Sequence, residues 1–397
     1  MLDNGQRALA HIEEIISLSP IEGADRIEVA QVLGWKVVVK KGEFQVGEKV
    51  VYIEIDSKVP ASNPYFAFLQ DRKYKVKTIK LRGQISQGLI VPMDVLPRAD
   101  YNVGDNVTEI LGITKIEDSF RPRNERTSEE MRLRQSHPRL MRAKWFKKLM
   151  KYQWFRKFAF KHLIPKRKSQ FKDFPTGYEG VSKTDEERCE NMPWVLQDKS
   201  PFIVTTKIDG TSCTVLVDHT KRKEEVYVCS RNVRQARDTV NYHDNTGDDN
   251  VYWQTVDKYK LLDFLREAMF DYDVDWACIQ GEIAGVSEGG AKIQGDPHKF
   301  GELRFFGFNL ILPEYGRIES VEAAQYAEAC GVPWVPIVDT HYILPDTMEE
   351  FKEAAVGLCE APGAHGQREG YVYRKVGEPT FSFKNINNKY LLKNDSY

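Results

Sequence analysis

Lys207 follows an apolar run, 202–204, and is itself followed by Asp209 and Gly210. An alternating run at 213–217 predicts a second strand, joined to the first by a tight turn in which Gly210 lets the backbone reverse. A lysine at a strand end can project into a cleft, and its amine is a nucleophile where nearby cations and burial lower its pKa. Alone, the Lys-x-Asp-Gly sequence is typical of a solvated hairpin, so the functional interpretation depends on the rest of the chain.

Five later segments also place one potentially functional residue at a predicted strand end. In chain order these residues are Arg231, Glu282, Phe308, Glu369 and Lys384. Each segment is ordinary by itself, because a Gly-Glu or a Phe-Lys pair is common in strands. Their order and spacing after Lys207 are a much more specific signal.

Together these segments resemble the ordered motifs of the covalent nucleotidyltransferases, the superfamily of ATP-dependent ligases and mRNA capping enzymes. The sequences at 183–188 and 291–297 are similar to the RNA ligase branch. A β domain placed before the catalytic domain resembles the nick-sealing RNA ligases with an N-terminal OB domain, whereas DNA ligases and capping enzymes carry their OB domain after it. The chain ends a few residues past the last motif, so a C-terminal OB domain is not expected.

The resemblance implies a reaction in three steps. Lys207 would attack the α-phosphorus of ATP, form a lysyl-adenylate and release pyrophosphate. AMP would then pass to an RNA 5′-phosphate, and a 3′-hydroxyl would displace it to form a phosphodiester. Lys207 must react as the neutral amine, so Arg231, Lys384 or a metal ion should lower its pKa.

The same resemblance implies roles for the other motif residues. Asp209, Glu369 and Glu282 carry hard oxygen donors suited to Mg²⁺ or Mn²⁺, and by family analogy Glu282 accepts from the ribose hydroxyl. Phe308 would stack on adenine. Lys384 would neutralise the charge that builds on the α-phosphate in the transition state.

Two positions depart from the family pattern. Thr206 precedes the nucleophile, where many RNA ligases have a glutamate that reads the adenine amino group. Ile386 stands where a second lysine usually follows Lys384, and the next lysine, Lys389, lies five residues after Lys384. Whether or not Lys389 takes that place, the resemblance implies a nucleotide-binding set that contains Thr206, Arg231, Lys384 and Lys389.

The expected function is an ATP-dependent RNA ligase that joins 3′-OH and 5′-phosphate ends through lysyl-AMP and RNA-adenylate. One alternative is a capping-type guanylyltransferase, which GTP would label preferentially. The other is a non-catalytic RNA-binding protein on a ligase scaffold, which would bind RNA and form no adenylate.

The sequence around these residues predicts an α+β fold in three parts. Short β-branched runs separated by glycine indicate an OB-like barrel in 1–115. Residues 176–397 read as an adenylyltransferase domain (ATP-grasp-like) of antiparallel sheets with flanking helices, and Thr184 with Glu187 predicts a helix start there. Lysines alternating over 75–82 indicate either a phosphate-tracking strand face or a solvated strand edge.

Residues 116–175 form a linker or insert of different composition. Between residues 121 and 172 there are 18 Lys and Arg against 3 Asp and Glu, a local net charge of +15 in a chain whose total is -1. Cations interleave with aromatic residues at roughly helical spacing over 139–157. This pattern fits an RNA-contacting insert, a basic amphipathic helix on anionic lipid, or a docked linker helix with solvated charges. RNA phosphates are the expected partner of the 121–172 block.

Composition restricts the setting of the protein. The six cysteines form no Cys-x-x-Cys pair and no zinc-site spacing with histidine. The N-terminus lacks a signal-peptide pattern, and no apolar run is long enough to span a membrane. These features predict a cytoplasmic protein in a reducing compartment, and a monomer is expected.

Overall fold

The computed structural model describes residues 2–3, 6–116, 133, 137–163, 172–235, 237 and 250–394. Contacts divide the chain into two compact units, one formed by Met1–Thr114 with Phe171–Tyr397 and one formed by Lys115–Gln170. The predicted barrel and the predicted catalytic domain therefore pack as one unit.

The N-terminal part of the larger unit is almost entirely β-structure. Its strands are β1 Leu2–Asp3, β2 Gln6–Arg7, β3 Ala10–Glu14, β4 Ser17–Ile21, β5 Ala24–Val32, β6 Trp35–Lys40, β7 Lys49–Ile53, β8 Ser57–Lys58, β9 Lys75–Val76, β10 Ile79–Leu81, β11 Gln84–Ser86, β12 Leu89–Pro92 and β13 Thr114–Lys115. Short 3-10 helices span Pro64–Arg72 and Met93–Val95.

Strand β7 lies between two hydrophobic cores. It pairs with β3 and β12, while β4, β5 and β6 form a separate meander. Because side chains alternate along a strand, Val51 and Ile53 pack into one core and Val50 and Tyr52 into the other.

Two strand predictions for this region need correction. The apolar residues over 11–18 predict one strand, and the turn residues over 19–25 predict its end. The structure instead has two strands there, β3 and β4, and β4 extends to Ile21. The lysine-rich run 75–81 is split between β9 and β10, so its cations do not line a single strand face.

The remainder of the larger unit is built on two sheets. Their strands are β14 Lys172–Asp173, β15 Glu187–Arg188, β16 Phe202–Lys207, β17 Thr211–Asp218, β18 Glu225–Cys229, β19 Val233–Arg234, β20 Trp276–Gly285, β21 Leu303–Leu312, β22 Gly316–Arg317, β23 Ile337–Tyr342, β24 Gly370–Lys375 and β25 Glu378–Ile386. One sheet has the order β14-β19-β18-β17-β20-β21-β22, and the other has the order β15-β25-β24-β16-β23. All pairings are antiparallel except that between β15 and β25.

The described residues also form α-helices, and those after residue 176 belong to the same unit as these sheets. The helices are α1 Pro138–Arg142, α2 Lys144–Leu149, α3 Gln153–Leu163, α4 Val251–Lys258, α5 Leu261–Asp271, α6 Ser320–Ala329, α7 Met348–Ala354 and α8 Asn388–Asn394, with 3-10 turns at Cys189–Asn191, Pro193–Gln197 and Ile293–Gly295. Phe264 and Leu265 of α5 pack against Val215 and Ile279 of the seven-stranded sheet. Phe351 of α7 packs in the core of the five-stranded sheet.

The predicted hairpin at Lys207 is wrong, because β16 and β17 belong to different sheets. The segment 208–210 crosses from one sheet to the other. Gly210 is required by close packing, since a Cβ atom there would lie 2.1 Å from the carbonyl oxygen of Ile283. Lys207 is thus placed at the junction of the two sheets.

The predicted helix start at 184–188 is also wrong. Glu187 and Arg188 form β15, which pairs in parallel with Phe383 and Lys384 of β25. Oε1 of Glu187 accepts hydrogen bonds from the Arg188 amide at 2.9 Å and the Asn191 side chain at 2.8 Å. The glutamate that was expected to cap a helix instead holds an extended segment.

The smaller unit contains α1, α2 and α3. Leu133, Met141, Phe146, Met150 and Ala159 form its own small core. The predicted basic block at 121–172 lies only partly within the described residues, because 117–132, 134–136 and 164–171 fall outside them.

Two further features concern the helices and the cysteines of the described residues. None of the helices in the described part of the chain has the length and apolar character that a membrane crossing requires. All six cysteines carry free thiols, and five of them are buried.

Candidate active site

Lys207 lies beside Glu369 because of the register between β16 and β24. Lys207 pairs with Gly370, the first residue of β24, and Glu369 immediately precedes it. The Lys207 Nζ atom lies 2.8 Å from Oε2 of Glu369, and their side chains are 25% and 15% exposed. A Cβ atom at Gly370 would come within 2.2 Å of the Asn385 carbonyl oxygen, so only glycine allows β24 and β25 to approach this closely.

The charges around Lys207 are mainly negative. Burial acts to lower the pKa of Lys207, but Glu369, Glu282 and Asp209 outweigh it and raise that pKa above the ordinary lysine value. The expectation that neighbouring cations lower this pKa is therefore not met by the protein alone. The physical reason is that three carboxylates, one of them 2.8 Å from the amine, raise the pKa of Lys207 by more than burial lowers it.

Asp209 is held in place from two sides. Its backbone N–H donates to Nε2 of His298 at 2.9 Å, and the Tyr390 hydroxyl donates to its Oδ2 at 2.5 Å. The His298 and Tyr390 rings stack with centroids 6.1 Å apart. Burial lowers the pKa of His298, which keeps the ring neutral and able to accept.

Glu282 approaches the same place from β20. It pairs with Ser212 of β17, one residue beyond the start of that strand. Burial, with Glu369 and Asp209, raises the pKa of Glu282 to about 8 against the opposing effect of Lys207. Among the described residues its carboxyl group has no hydrogen-bond partner, which leaves it available to a ligand.

Lys384 and Arg231 share one carboxylate, that of Asp185. Lys384 Nζ lies 3.0 Å from Oδ1 of Asp185, and Arg231 Nη2 lies 2.5 Å from Oδ2. These contacts keep the pKa of Asp185 well below its usual range despite its burial. Burial, helped by surrounding cations, lowers the pKa of Lys384 to about 8 although Asp185 acts to raise it.

Two arginines extend this cationic group. Arg7 of β2 and Arg188 of β15 both lower the pKa of Lys384, so both lie within electrostatic range of it. Arg7 pairs with Glu54 at 2.7 Å and Arg188 with Asp56 at 3.1 Å. Within the described residues, Nη2 of Arg7 and both Nε and Nη1 of Arg188 are buried donors without a partner.

Thr206, the residue before Lys207, is buried and forms a hydrogen bond with another acid. Its hydroxyl donates to Oε2 of Glu360 at 2.9 Å. The other oxygen of Glu360 accepts from the Tyr371 hydroxyl at 2.8 Å and pairs with Arg368 at 2.9 Å. A carboxylate from a distant segment therefore lies beside position 206, where the family pattern has a glutamate.

The two remaining predicted residues, Phe308 and Lys389, differ in their distance from Lys207. Phe308 packs near Ile208 and Trp334 in a cluster next to Lys207. Lys389 is 62% exposed and its nearest acid is Glu353, 4.0 Å away. Lys389 is therefore not brought to Lys207, whereas its neighbour Tyr390 is.

Among the described residues, no group of three or more His, Cys, Asp or Glu side chains is arranged to hold a metal ion. Asp209, Glu369 and Glu282 do not form a closed protein cage. They can instead offer one or two carboxylates to an ion that keeps other ligands, as Mg²⁺ commonly does.

Four residues of the site were missed by the sequence analysis: Asp185, His298, Glu360 and Tyr390. Asp185 lies in the 183–188 run that resembles RNA ligases, and Tyr390 lies in the last motif segment, so both had a signal that was assigned differently. His298 and Glu360 have no local signal, because only the tertiary fold brings them to residues 206–209.

Comparison with known proteins agrees with this arrangement. An OB-fold domain model matches residues 9–93, and an RNA ligase family model matches residues 200–390. No curated protein sequence matches the chain.

Solved structures of RNA ligase from Naegleria gruberi are similar over the full length. The structure with PPi is 29% identical, with 98% of this chain and 99% of that chain covered and a TM-score of 0.71. A mutant with ATP and Mn is 30% identical, with 98% and 100% covered and a TM-score of 0.73. Another mutant, with AMP and Mn, is 30% identical, with 98% and 99% covered and a TM-score of 0.71.

Two adjoining sheets that follow an OB-fold domain are the fold of an RNA ligase. At this identity and coverage, the chain belongs to the RNA ligase family. The expected α+β fold, with an N-terminal OB domain before the ligase domain, is confirmed.

Proposed function

We propose that this RNA ligase uses ATP to join 3′-OH and 5′-phosphate ends of RNA through a lysyl-AMP at Lys207 and an RNA-adenylate. The observation that carries the proposal is the convergence of Lys207, Glu369, Asp209 and Glu282 at the sheet junction. The Naegleria ligase structures with ATP, AMP and PPi support it, since these are the substrate and products of such a transfer.

In the first step the Lys207 amine attacks the α-phosphorus of ATP. A P–N bond forms, the bond from the α-phosphorus to the bridging oxygen breaks, and pyrophosphate leaves with that electron pair. The amine must first lose a proton, which its carboxylate neighbours oppose by raising its pKa. In the next steps the 5′-phosphate of RNA takes AMP from Lys207, and a 3′-hydroxyl displaces AMP to form the phosphodiester.

A divalent cation fits the acids around Lys207. Asp209 and Glu369 would hold Mg²⁺ or Mn²⁺ alone or through water, and Glu282 would accept from the ribose hydroxyl or join the metal. The ion supplies positive charge that offsets the carboxylates raising the pKa of Lys207. Such an ion would have only one or two carboxylate ligands from the protein. No group of three or more metal-binding side chains is present among the described residues.

The phosphates would lie against Lys384 and Arg231. In the protein these two cations share Asp185, and bound phosphate oxygens would compete with that carboxylate for them. The unpartnered donors of Arg188 and Arg7 add further capacity on the same side. Lys384 would then oppose the charge that develops on the α-phosphate in the transition state.

The remaining residues and domains would bind the adenine base of ATP and the RNA substrate. Phe308, in the cluster that contains Ile208, would stack on adenine. Thr206 would act through Glu360, whose carboxylate it positions. Residues 1–115 would bind nucleic acid, and residues 176–397 would form the catalytic domain, with 116–175 as the linker or insert that joins them in the sequence. Nick sealing in RNA repair is the proposed use.

Labelling of the protein with α-³²P-ATP and Mg²⁺ or Mn²⁺, followed by denaturing electrophoresis, tests the first step. Wild type should retain label and Lys207→Ala should not, while Lys223→Ala, an exposed lysine in the turn after β17, should label like wild type. Label in Lys207→Ala would refute the assignment. Preferential labelling by GTP would refute ATP as the substrate.

Sealing of a nicked RNA duplex tests the later steps. Wild type should convert 3′-OH and 5′-phosphate ends to a continuous strand and accumulate RNA-adenylate when the terminal 3′-OH is absent. Replacing RNA by DNA on either side of the nick would define the strand requirement. Labelled enzyme that seals no end of any kind would contradict the proposed ligation.

A further inference from the structure

The smaller unit exposes aromatic and basic side chains together. Trp145, Tyr152 and Phe158 are 58%, 53% and 52% exposed. Arg139, Lys147, Lys148, Lys151 and Lys157 are exposed on the same three short helices or the turn between them. The OB-fold match ends at residue 93 and the RNA ligase match begins at residue 200, so neither family model assigns a role to this surface.

Within the described residues of the unit, the exposed cations have no acidic neighbour in the sequence. Residues 137–163 contain nine Lys and Arg and no Asp or Glu. None of the five exposed cations forms an ion pair with a residue that the structure describes. A patch of this kind attracts a polyanion, and each phosphate contact releases a counterion.

The exposed rings are anchored at the core of the unit. Trp145 contacts the buried Phe146 ring at 5.6 Å between centroids, and Phe146 contacts Phe155 at 5.5 Å. The ring contacts continue from Phe155 to Phe158 at 6.3 Å. Rings fixed in this way can stack on unpaired bases with little loss of side-chain freedom.

The apolar face of the unit is already occupied. Met141, Phe146, Met150 and Ala159 pack against one another in its core. A helix that lies on lipid needs a continuous apolar face to insert, and here that face is turned inward. Among the side chains that the structure describes in this unit, the exposed aromatic residues are single rings among cations, which suit RNA better than a bilayer.

We propose that the helical unit 137–163 is an RNA-docking surface, with Lys147, Lys148 and Lys151 on phosphates and Trp145 and Phe158 stacking on unpaired bases. The proposal rests on the proposed function for its ligand, because RNA is the substrate that ligation requires. It adds a second RNA contact outside the catalytic site.

Binding of full-length protein to a fluorescent nicked RNA duplex with a single-stranded extension tests this surface. The double variant Lys147→Ala/Lys148→Ala should reduce the slope of log Kd against log salt by roughly two between about 50 and 200 mM. The matched variant Arg222→Ala/Lys223→Ala removes two exposed cations from the β17–β18 turn and should keep the wild-type slope.

The aromatic positions are tested in the same assay. Trp145→Ala and Phe158→Ala should each weaken binding at least about fivefold, and Trp145→Phe should restore most of it. Phe270→Ala is the matched control, since this ring is 86% exposed on α5. Recovery by Trp145→Phe separates stacking from a folding defect.

Label at Lys207 is measured in every variant, because it reports the proposed function independently. Normal label with unchanged RNA affinity and salt slope would overturn the docking surface and leave the ligase assignment intact. Absence of label in wild type would instead count against the proposed function. Loss of binding to phosphatidylserine vesicles with unchanged RNA binding would assign the surface to lipid and overturn the proposal.

Discussion

The Nζ atom of Lys207 lies 2.8 Å from Oε2 of Glu369, so the proposed nucleophile donates its hydrogen bond to an acid. This ion pair holds the amine as an ammonium group and positions it at the strand end. The same acid therefore orients the proposed nucleophile and raises its pKa, and both effects can be measured.

Glu369→Gln should lower the pKa of Lys207, because it removes the largest of the carboxylate effects that raise it. The midpoint can be read from the pH dependence of acetylation at Lys207, followed by mass spectrometry. Mn²⁺ should lower the wild-type midpoint and change that of the variant less. Label from ATP should nevertheless fall by about 10²-fold, since a proposed metal ligand is lost.

Lys223 serves as the internal reference for that acetylation, because it is exposed in the turn after β17. An unchanged Lys207 midpoint in Glu369→Gln would show that the ion pair does not set the pKa of the nucleophile.

The pH dependence of adenylate formation should bend near pH 8. Lys384 has a pKa of about 8, so its ammonium form is present below that pH and is lost above it. The reaction also needs neutral Lys207, which is favoured by rising pH. The slope of log rate against pH, at subsaturating ATP, should therefore decrease by about one near pH 8.

Two variants assign that bend to Lys384. Asp185→Asn removes a carboxylate that raises the pKa of Lys384, so the bend should move to lower pH. Lys384→Arg should be slower and show no bend, because arginine keeps its charge. Asp198→Asn, which disturbs an ion pair with Lys375 elsewhere, is the matched control. A bend that persists in Lys384→Arg and disappears in Glu282→Gln would assign it to Glu282 instead.

Gly210→Ala should disable the site by displacing the crossover. The added Cβ would lie 2.1 Å from the Ile283 carbonyl oxygen, so the 208–210 segment must shift and move Asp209 with it. We expect adenylate formation to fall at least about tenfold and stability to fall by about 1–3 kcal/mol. Label formation and urea denaturation measure the two effects.

Gly290→Ala is the control for backbone strain alone. Gly290 has a φ of +82° and nothing within 4 Å of an added Cβ, so its cost is conformational. If both variants label equally well, close packing at Gly210 is not what positions the nucleophile.

Glu282 should make the folded protein less stable as pH rises. Its pKa is about 8 in the fold and 4.5 as an ordinary glutamate, so the folded state binds more protons between these values. By linkage the free energy of unfolding falls as pH increases through that window. As pH rises from 5 to 8.5, the free energy of unfolding of Glu282→Gln should increase by about 2–3 kcal/mol relative to that of wild type. This figure is smaller than the full pKa shift implies because the Glu282 side chain is partly exposed.

Urea denaturation of both proteins across that pH range measures the difference. A constant difference between wild type and Glu282→Gln would mean that Glu282 titrates normally in the fold.

Lys207, Glu282, Glu369 and Lys384 can be predicted from the sequence because each motif lies in or beside a strand, and strands have local signals. Their expected position at strand ends holds only for Lys207, which ends β16, and Glu369, which precedes β24, whereas Glu282 and Lys384 lie inside β20 and β25. The sheet to which each strand belongs has no such signal. The segment after Lys207 therefore read as a hairpin, although it crosses between sheets.

Electrostatics was the least predictable part of the site. The charge nearest to an amine depends on side chains that are distant in the chain, and Glu369 lies 162 residues from Lys207. Glu360 beside Thr206 illustrates the same limit, because 154 residues separate them. The 183–188 run misled for a different reason, since its capping-box pattern was overridden by pairing with β25.

The contacts of Asn191 with the N-terminal barrel have a consequence for dissecting the enzyme. Trp35 donates its indole N–H to Asn191 at 2.5 Å, and the Asn191 amide donates to Glu54 at 2.6 Å, all in buried surroundings. Separating the barrel from the catalytic domain would leave these polar groups without hydrogen-bond partners, and it would remove Arg7 from the vicinity of Lys384. A catalytic domain expressed alone would thus be a chemically altered enzyme, and its kinetics would not report those of the whole ligase.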